Sequence, residues 1–391
     1  TGYASSIFLS AVAKAAAQGV DFSGVDYVFM FFAGGNTADL GADDDHFWPH
    51  SRYFDDGGLV ITPDGKTIKA YAMSSELMKT ESGEMEFASI GTFCHEYSHI
   101  LGLRDMYDTD YEKSGGRTKG LWGSTSIMDS GNYNNDGKTP PGYNAIELEM
   151  LGLVTPEKMD FGDYSLEPLN TGRRVLRMDT DNPDEYFLFE ARQALGWDKY
   201  IGGSGLLVYH VDKSSRPAGY STLCEQELTA KERWDFNEVN CNPAHQCADL
   251  VEAYSRADET GQVFFPYSTI DYLSSKSKSE FNFWGGGAPL MSLSKIARSN
   301  GTVRFMVNGP LVVDSKDVFQ DAVILRWHTD LGDLAQLPSR VRWTAAGKTH
   351  DAIVKPYGDG QYSYTVEGLE AGSEYTLSIS VGEGARAAST R

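Results

Sequence analysis

His95-Glu-Tyr-Ser-His99-Ile-Leu-Gly102-Leu-Arg-Asp105 is the stretch on which the reading of this chain turns. Apolar residues at Phe87, Ile90, Cys94, Ile100 and Leu101 recur at near-helical spacing and predict a helix over 84–101, with Gly102 as its stop. Residues four apart share a helix face, so His95 and His99 can aim imidazole nitrogens at one metal ion, with Glu96 beside them. A catalytic zinc site takes three protein ligands and keeps one position open, and the third ligand cannot come from farther along the same axis. Gly102 tolerates the left-handed backbone that turns the chain back, so that Asp105 can reach the ion; Asp108 also lies within reach, and both stay open as third ligand.

These residue types fit one chemistry. A zinc ion so held lowers the pKa of water toward ~7, and a neighbouring Glu96 is the group to take its proton and pass it to a departing amine. Farther on, Ser126-Ile-Met128-Asp resembles the Met-turn of metzincins, in which a methionine forms an apolar base under the ligands. Tyr133 is a candidate hydrogen-bond donor to the reacting carbonyl, with Tyr143 as its competitor.

Around this helix the chain changes texture. Residues 5–18 are Ala-rich and helical in pattern, and Val25 to Phe32 reads as a buried strand, so the front of the chain is α/β. Gly58 to Ala72 reads as a hairpin about Pro63-Asp64-Gly65, its second arm Thr67 to Met73 being a candidate edge strand. A Gly/Asn/Asp-rich stretch from Gly115 to Gly142 is long enough to be functional, and a helix resumes over 144–151. From about Thr155 short alternating runs take over: Tyr186 to Ala191, Gly205 to Val211, Val263 to Phe265 and Thr302 to Val307. The last stretch repeats this, with Val323, Leu325 and Trp327 on one strand face and Tyr375, Leu377, Ile379 and Val381 on another. A chain of 391 residues exceeds one core, and the expected limits are 1–154, 155–311 and 312–391.

Composition excludes whole classes of function. The net charge of −21 repels phosphate backbones and anionic bilayers, which argues against nucleic-acid partners, and no apolar run reaches the length of a membrane span. Four cysteines are too few for a disulfide scaffold; Cys94 reads as a buried thiol, and one disulfide is expected among Cys224, Cys241 and Cys247 in an oxidising compartment. The acidic loop Asp39, Asp43, Asp44 and Asp45 offers oxygen ligands suited to calcium, with 134–137 and 179–182 as weaker candidates.

The zinc motif, its continuation Met106-Tyr-Asp108-Thr and the Ser-Ile-Met turn together resemble the immune inhibitor A family of secreted bacterial metallopeptidases. Further segments agree with the resemblance: Trp48-Pro-His50-Ser, Asn144 to Leu153, Glu185 to Gln193, Gly205 to Asp212 and Leu250-Val-Glu252-Ala. It implies an α/β metzincin-type zinc-peptidase domain followed by a β-sandwich, extracellular cleavage of proteins or peptides, zinc and often structural calcium. It also implies a pro-segment and a first strand ahead of the opening helix, where this sequence begins almost at that helix. Substrate is expected to pair in extended form against the Thr67 to Met73 strand. His50 is expected in a supporting or substrate-cleft position, and His210 as a sandwich histidine. Residues 312–391 resemble a fibronectin type III module through Trp327 and the Leu369 to Tyr375 corner, implying two all-β sandwich domains and a module that binds a protein or glycan surface. The competing expectation is a non-catalytic adhesin on a protease-derived scaffold, against which the retained Glu96 speaks.

Overall fold

The computed structural model describes residues 2–41, 46–54, 60–61, 65–80, 82–116, 123–254, 262–309, 311–329, 334–345, 347–381 and 388–390. It is mixed α/β, with few helices and many sheets. Its contacts form two compact units. The first holds Thr1–Pro156, Arg192–Ser204 and Pro217–Ala248; the second holds Glu157–Ala191, Gly205–Arg216 and Asp249–Arg391. Two later segments thus group with the front of the chain.

The first unit is built in layers. Its opening helix, Gly2–Ala17, is longer at its front than the periodicity suggests, and it buries Ala4, Phe8 and Val12, which share one face. Three strands form the sheet behind it, with Ala70–Ser75 in the middle, Val28–Phe32 parallel on one side and His50–Tyr53 antiparallel on the other. Alternation then decides the packing, because successive side chains point to opposite faces. Tyr71 and Met73 join Phe8 and Phe54 in one core, while Ala70 and Ala72 meet Ile100 of the helix Ile90–Ile100 in another. Two alanines under that helix let it approach the sheet closely.

Two expectations are corrected. Thr67 to Met73 is not an edge strand: Thr67–Ile68 pairs back with Val60–Ile61 in a short hairpin, and Ala70–Ser75 is paired on both sides and buried throughout. Among the described residues, the antiparallel edge strand on that side is His50–Tyr53. The helix begins at Ile90 rather than at 84, because Met85–Phe87 folds back as a strand on Leu77–Lys79 around Gly83, whose φ is 88°.

The second unit has two separate apolar cores. In one, the sheet ordered Ala248–Leu250, Gly205–Asp212, Glu185–Arg192, Leu176–Asp179 and Glu157–Lys158 shares buried residues with the sheet Ser292–Ser299, Thr302–Asn308 and Gly162–Leu166. Val263 to Phe265 is no strand; Phe265 makes a single bridge to Leu206. In the other core, the sheet of Val312–Val318, Ala322–His328 and Gln361–Glu367 meets that of Lys348–Val354, Ser339–Ala345, Leu377–Val381 and Ala388–Thr390 around Trp327, Tyr362, Val341 and Ile379. The Trp327 indole stacks on Tyr362 at 5.5 Å and donates to Ser339 Oγ at 3.1 Å. Tyr375 Oη accepts the backbone N–H of Glu370 at 2.7 Å, tying the chain across the corner before the Leu377 strand. Among the described residues no helix is long and apolar enough to cross a membrane.

Gly91 on the helix Ile90–Ile100 and Gly102 just past its cap test this packing. A Cβ at Gly91 would overlap the carbonyl oxygen of Asn132, whereas at Gly102 it would meet nothing and only the φ of 107° is strained. Gly91→Ala is expected to destabilise by about 2–3 kcal/mol in spite of alanine's better helix propensity, and Gly102→Ala by about 1–2 kcal/mol. Equilibrium urea denaturation checks the order; a Gly91→Ala protein as stable as the parent would contradict the close approach.

Candidate metal centre and active-site cleft

The turn that ends the helix builds the site. Gly102 N–H bonds to His99 O at 2.8 Å and Leu103 N–H to Ser98 O at 3.1 Å, the paired bonds of a left-handed helix stop. The reversal also returns the Leu103 carbonyl to His99, whose Nδ1 lies 3.0 Å from it. His95 is held in the same way, its Nδ1 lying 2.8 Å from the Ile127 carbonyl. A carbonyl only accepts, so both Nδ1 atoms carry a proton and both Nε2 atoms face inward, where a metal takes their lone pairs once any proton there has left.

Asp105 closes the triangle. Its Oδ1 lies 3.3 Å from His95 Nε2 and 3.2 Å from His99 Nε2. This oxygen is buried and has no hydrogen-bond partner. Three electron-rich atoms at that spacing repel one another unless a cation sits among them. Ligand atoms ~2.0 Å from a tetrahedral ion stand ~3.3 Å apart, so the donor set fits a metal of that size. The other side of Asp105 is clamped: Asn237 Nδ2 donates to Oδ2 at 2.7 Å, and the Asp105 N–H donates to Asn237 Oδ1 at 2.8 Å.

The Ser126 to Met128 turn ties the pieces together. Ile127 supplies the carbonyl for His95, and Met128 O accepts the N–H of Met106, next to Asp105. Ser126 Oγ donates to Glu147 Oε1 at 2.6 Å and accepts the Met128 N–H at 3.0 Å, and Glu147 with Asn144 caps the helix Ala145–Met150. Met128 itself is fully buried.

A cleft of about 220 Å³ opens beside the ligands, lined among others by Trp48, Pro49, His95, Glu96, Tyr107 and Tyr133. Glu96 is buried, and burial pushes its carboxyl above the ordinary range while the two histidines pull it down. Tyr133 lies in the cleft wall, 47% exposed, and burial of its hydroxyl raises it. Tyr143 is engaged elsewhere, with its hydroxyl 2.7 Å from Ser98 Oγ. His50 bridges Trp48 O and Tyr71 Oη at 2.7 and 3.0 Å, which leaves it bound within its own sheet.

Asp108 belongs to a different group, with Asp110 and Cys241. Its carboxylate accepts the N–H groups of Asp110 and Glu112 at 3.1 and 3.0 Å and so shapes the following turn. None of the four cysteines is in a disulfide: Cys241 faces Thr109 Oγ1 at 3.2 Å with its thiol pushed up to about 12 by burial, and Cys224 faces Glu238 at 3.2 Å. The expected disulfide is thus not formed, each of these thiols having its own polar neighbour.

Of the calcium candidates, Asp43, Asp44 and Asp45 lie outside the described residues, and Asp39 accepts from Asn36 and from the Lys79 N–H at 2.8 and 3.2 Å. Asp179 is already paired with Lys158 and Arg177 at 2.8 and 2.7 Å. Asn135 bonds to Thr139 at 3.0 Å and Asp136 lies 3.8 Å from Lys138. His210 is buried in the second unit, 3.0 Å from Glu185 and stacked between Phe187 and Trp284.

Three site residues escaped the sequence reading. Tyr107 lines the cleft and stacks on His95 at 6.5 Å, Asn132 brings a buried amide Oδ1 without a partner, and Asn237 holds Asp105. Only Asn237 leaves a signal in the sequence, an asparagine soon after the Thr229 to Glu232 capping pattern, and the structure places it at a left-handed φ of 61°.

Residues 22–150 match the family model described as immune inhibitor A peptidase M6, catalytic domain. The match supports an M6 peptidase domain in the first unit and suggests metallopeptidase function, with protein or peptide substrates. A comparison with curated proteins gave no match.

Protonation of the site predicts how metal uptake depends on pH. Burial alone lowers His95, but the adjacent Asp105 carboxylate, with Glu96 adding, outweighs it and raises the imidazole to about 9. Burial raises Asp105, and His99 and His95 outweigh it to hold the carboxyl well below its usual range. In chelator-stripped protein this pairing stabilises the fold fully below the ordinary histidine value of ~6.5 and is lost as pH rises through about 9; on the acid side it is present above ~3.9 and lost as pH falls through the depressed Asp105 value. Metal must displace the His95 proton, so its affinity is expected to rise about tenfold per pH unit between ~6.5 and ~8.5 and then level off. Competition with a chromophoric chelator measures this, and an affinity independent of pH over that range would contradict the assigned charge state.

Proposed function

We propose that the protein is a secreted zinc endopeptidase of the metzincin type, with His95, His99 and Asp105 holding the metal and Glu96 as general base. The observation that carries the proposal is the convergence of Asp105 Oδ1 on both histidine Nε2 atoms, at 3.3 and 3.2 Å, beside a buried glutamate in an open cleft. Nitrogen and oxygen donors at a tetrahedral spacing suit zinc. When bound, zinc supplies a Lewis acid that polarises the scissile carbonyl and acidifies water.

The chain's own groups do the rest. Glu96, raised by burial, takes the proton of the attacking water and delivers it to the leaving amine. Tyr133 donates a hydrogen bond to the carbonyl oxygen as charge develops on it. An extended peptide pairs with the edge strand His50–Tyr53, which continues from the cleft residues Trp48 and Pro49. Met128 serves as the apolar base of the ligand turn.

The two cores of the second unit are read as two sandwich domains, 155–311 and 312–391, the last of fibronectin type III kind; its three-plus-four strand arrangement, stacked Trp327 and Tyr375 corner support this. That module is proposed to bind a protein or glycan surface. Extracellular or cell-surface location fits the net charge of −21, and calcium is proposed on the acidic loop from Asp39 to Asp45.

Glu96→Ala is the deciding variant. It is expected to keep about one zinc per chain and to lose cleavage of an unfolded protein substrate by at least ~100-fold. Cleavage at the parental rate by a zinc-loaded Glu96→Ala protein would remove Glu96 from the mechanism.

A further inference from the structure

On the metal reading proposed above, Asp105 turns one oxygen and not both toward the two histidines. A carboxylate can chelate through both oxygens, and doing so would fill the position that water and substrate need. Asn237 stands at the second oxygen. Its Nδ2 donates to Asp105 Oδ2 at 2.7 Å while its Oδ1 accepts the Asp105 N–H at 2.8 Å, so side chain and backbone of Asp105 are gripped by one amide. Oδ1, on the histidine side, is the oxygen with no hydrogen bond. We infer that Asn237 sets the coordination of Asp105, restraining Oδ2 so that Asp105 is a one-oxygen ligand, and that the 217–248 segment thereby completes the metal centre.

The placement of Asn237 is itself reinforced. It follows the helix Ala230–Asp235 and its cap Phe236, at a left-handed φ of 61° that asparagine tolerates better than most residues. Its carbonyl accepts Thr109 Oγ1 at 2.7 Å. Asn240 Nδ2 donates to Met106 O at 2.8 Å, so two asparagines of this segment hold two consecutive residues of the ligand loop. Residue chemistry matters here as well as position. A neutral amide orients the carboxylate without cancelling its charge; an arginine or lysine would compete with the ion for it, and an aspartate would repel it. Asn237 lies well beyond the 22–150 stretch that matches the peptidase family, so that stretch does not contain all the groups that shape the centre. Asn237 touches a ligand and not the reacting atoms, which makes it a positioning residue.

The test uses the full chain, stripped with a chelator and reloaded. Asn237→Asp keeps size and left-handed tolerance but turns the donor into an acceptor; Asn237→Gly keeps the backbone conformation and removes both bonds. Asn240→Ala loosens the same loop without touching the carboxylate. Zinc affinity by chelator competition is expected to fall about 10–100-fold in Asn237→Asp. With cobalt(II) in place of zinc, Asn237→Gly is expected to show the weaker visible bands of a higher-coordinate ion as Oδ2 swings in. Asn240→Ala is expected to melt at lower temperature with the parental cobalt spectrum, which separates positioning from loop stability. Parental affinity and spectrum in both Asn237 variants would overturn the inference; if Asn237→Gly does not fold, Asn237→Asp alone decides it by the same two readouts. Asp105→Asn distinguishes the layers: parental zinc affinity in that variant would overturn the metal reading itself and the role of Asn237 with it, whereas loss of zinc there alongside parental Asn237 variants would overturn only the positioning.

Discussion

One buried carboxylate oxygen facing two imidazole nitrogens is the constraint on which the first unit is organised. Left without a cation, that arrangement is unfavourable, because three lone pairs meet in a region from which water is largely excluded. Everything around it serves to hold the three atoms there regardless. The glycine stop returns a carbonyl to His99, the Ser126 to Met128 turn supplies another to His95 and steadies the residue after Asp105, and Asn237 restrains the carboxylate from behind. Each of these is a backbone or neutral amide contact. None of them brings a competing full charge, so the electrostatic imbalance is preserved for a metal or, in its absence after chelation, a proton on His95.

The same logic of fixed backbone under an unfavourable site recurs one layer out. The helix carrying the histidines cannot shift along its axis, because Gly91 lies against Asn132 at its start and Tyr53 Oη donates to the His99 carbonyl at 2.9 Å near its end. Ala70 and Ala72 let it seat closely on the sheet, and the Ser126–Glu147 bond anchors the ligand turn to a capped helix. Buried pairs such as Arg192–Asp198 at 2.6 Å and Arg233–Glu238 at 3.2 Å brace the two later segments that return to this unit. A pre-positioned donor set of this kind spends little free energy on rearrangement when the ion arrives.

Where the sequence was legible, it was so through local periodicity and glycine. The helical spacing, the paired histidines four apart and the left-handed stop at Gly102 all follow from geometry within a few residues, and they are found as expected apart from the helix start, displaced by the Leu77–Phe87 hairpin. A strand over 67–73 was visible as the second arm of a hairpin, yet the central position of Ala70–Ser75 was not, since pairing on both sides depends on segments 28–32 and 50–53. Likewise three cysteines close in sequence suggested a disulfide, and the folded chain gives them separate surroundings.

What the sequence by itself determined was the donor inventory: two imidazoles and a glutamate on one helix face, and aspartates within reach beyond a glycine turn. Those relations are set by 3.6 residues per turn and by the freedom of one φ angle, so no distant contact is needed to read them. The tertiary structure decided which aspartate faces the histidines, which of its oxygens is free, and which strand lies at the edge. Asp105 and Asp108 are equivalent as residue types; they differ because Asn237, 132 residues farther along, bonds to the first, while Asp108 caps its own turn. Long-range hydrogen bonds of that kind carry no periodic trace in a sequence, since each depends on the whole fold having already brought its partners together.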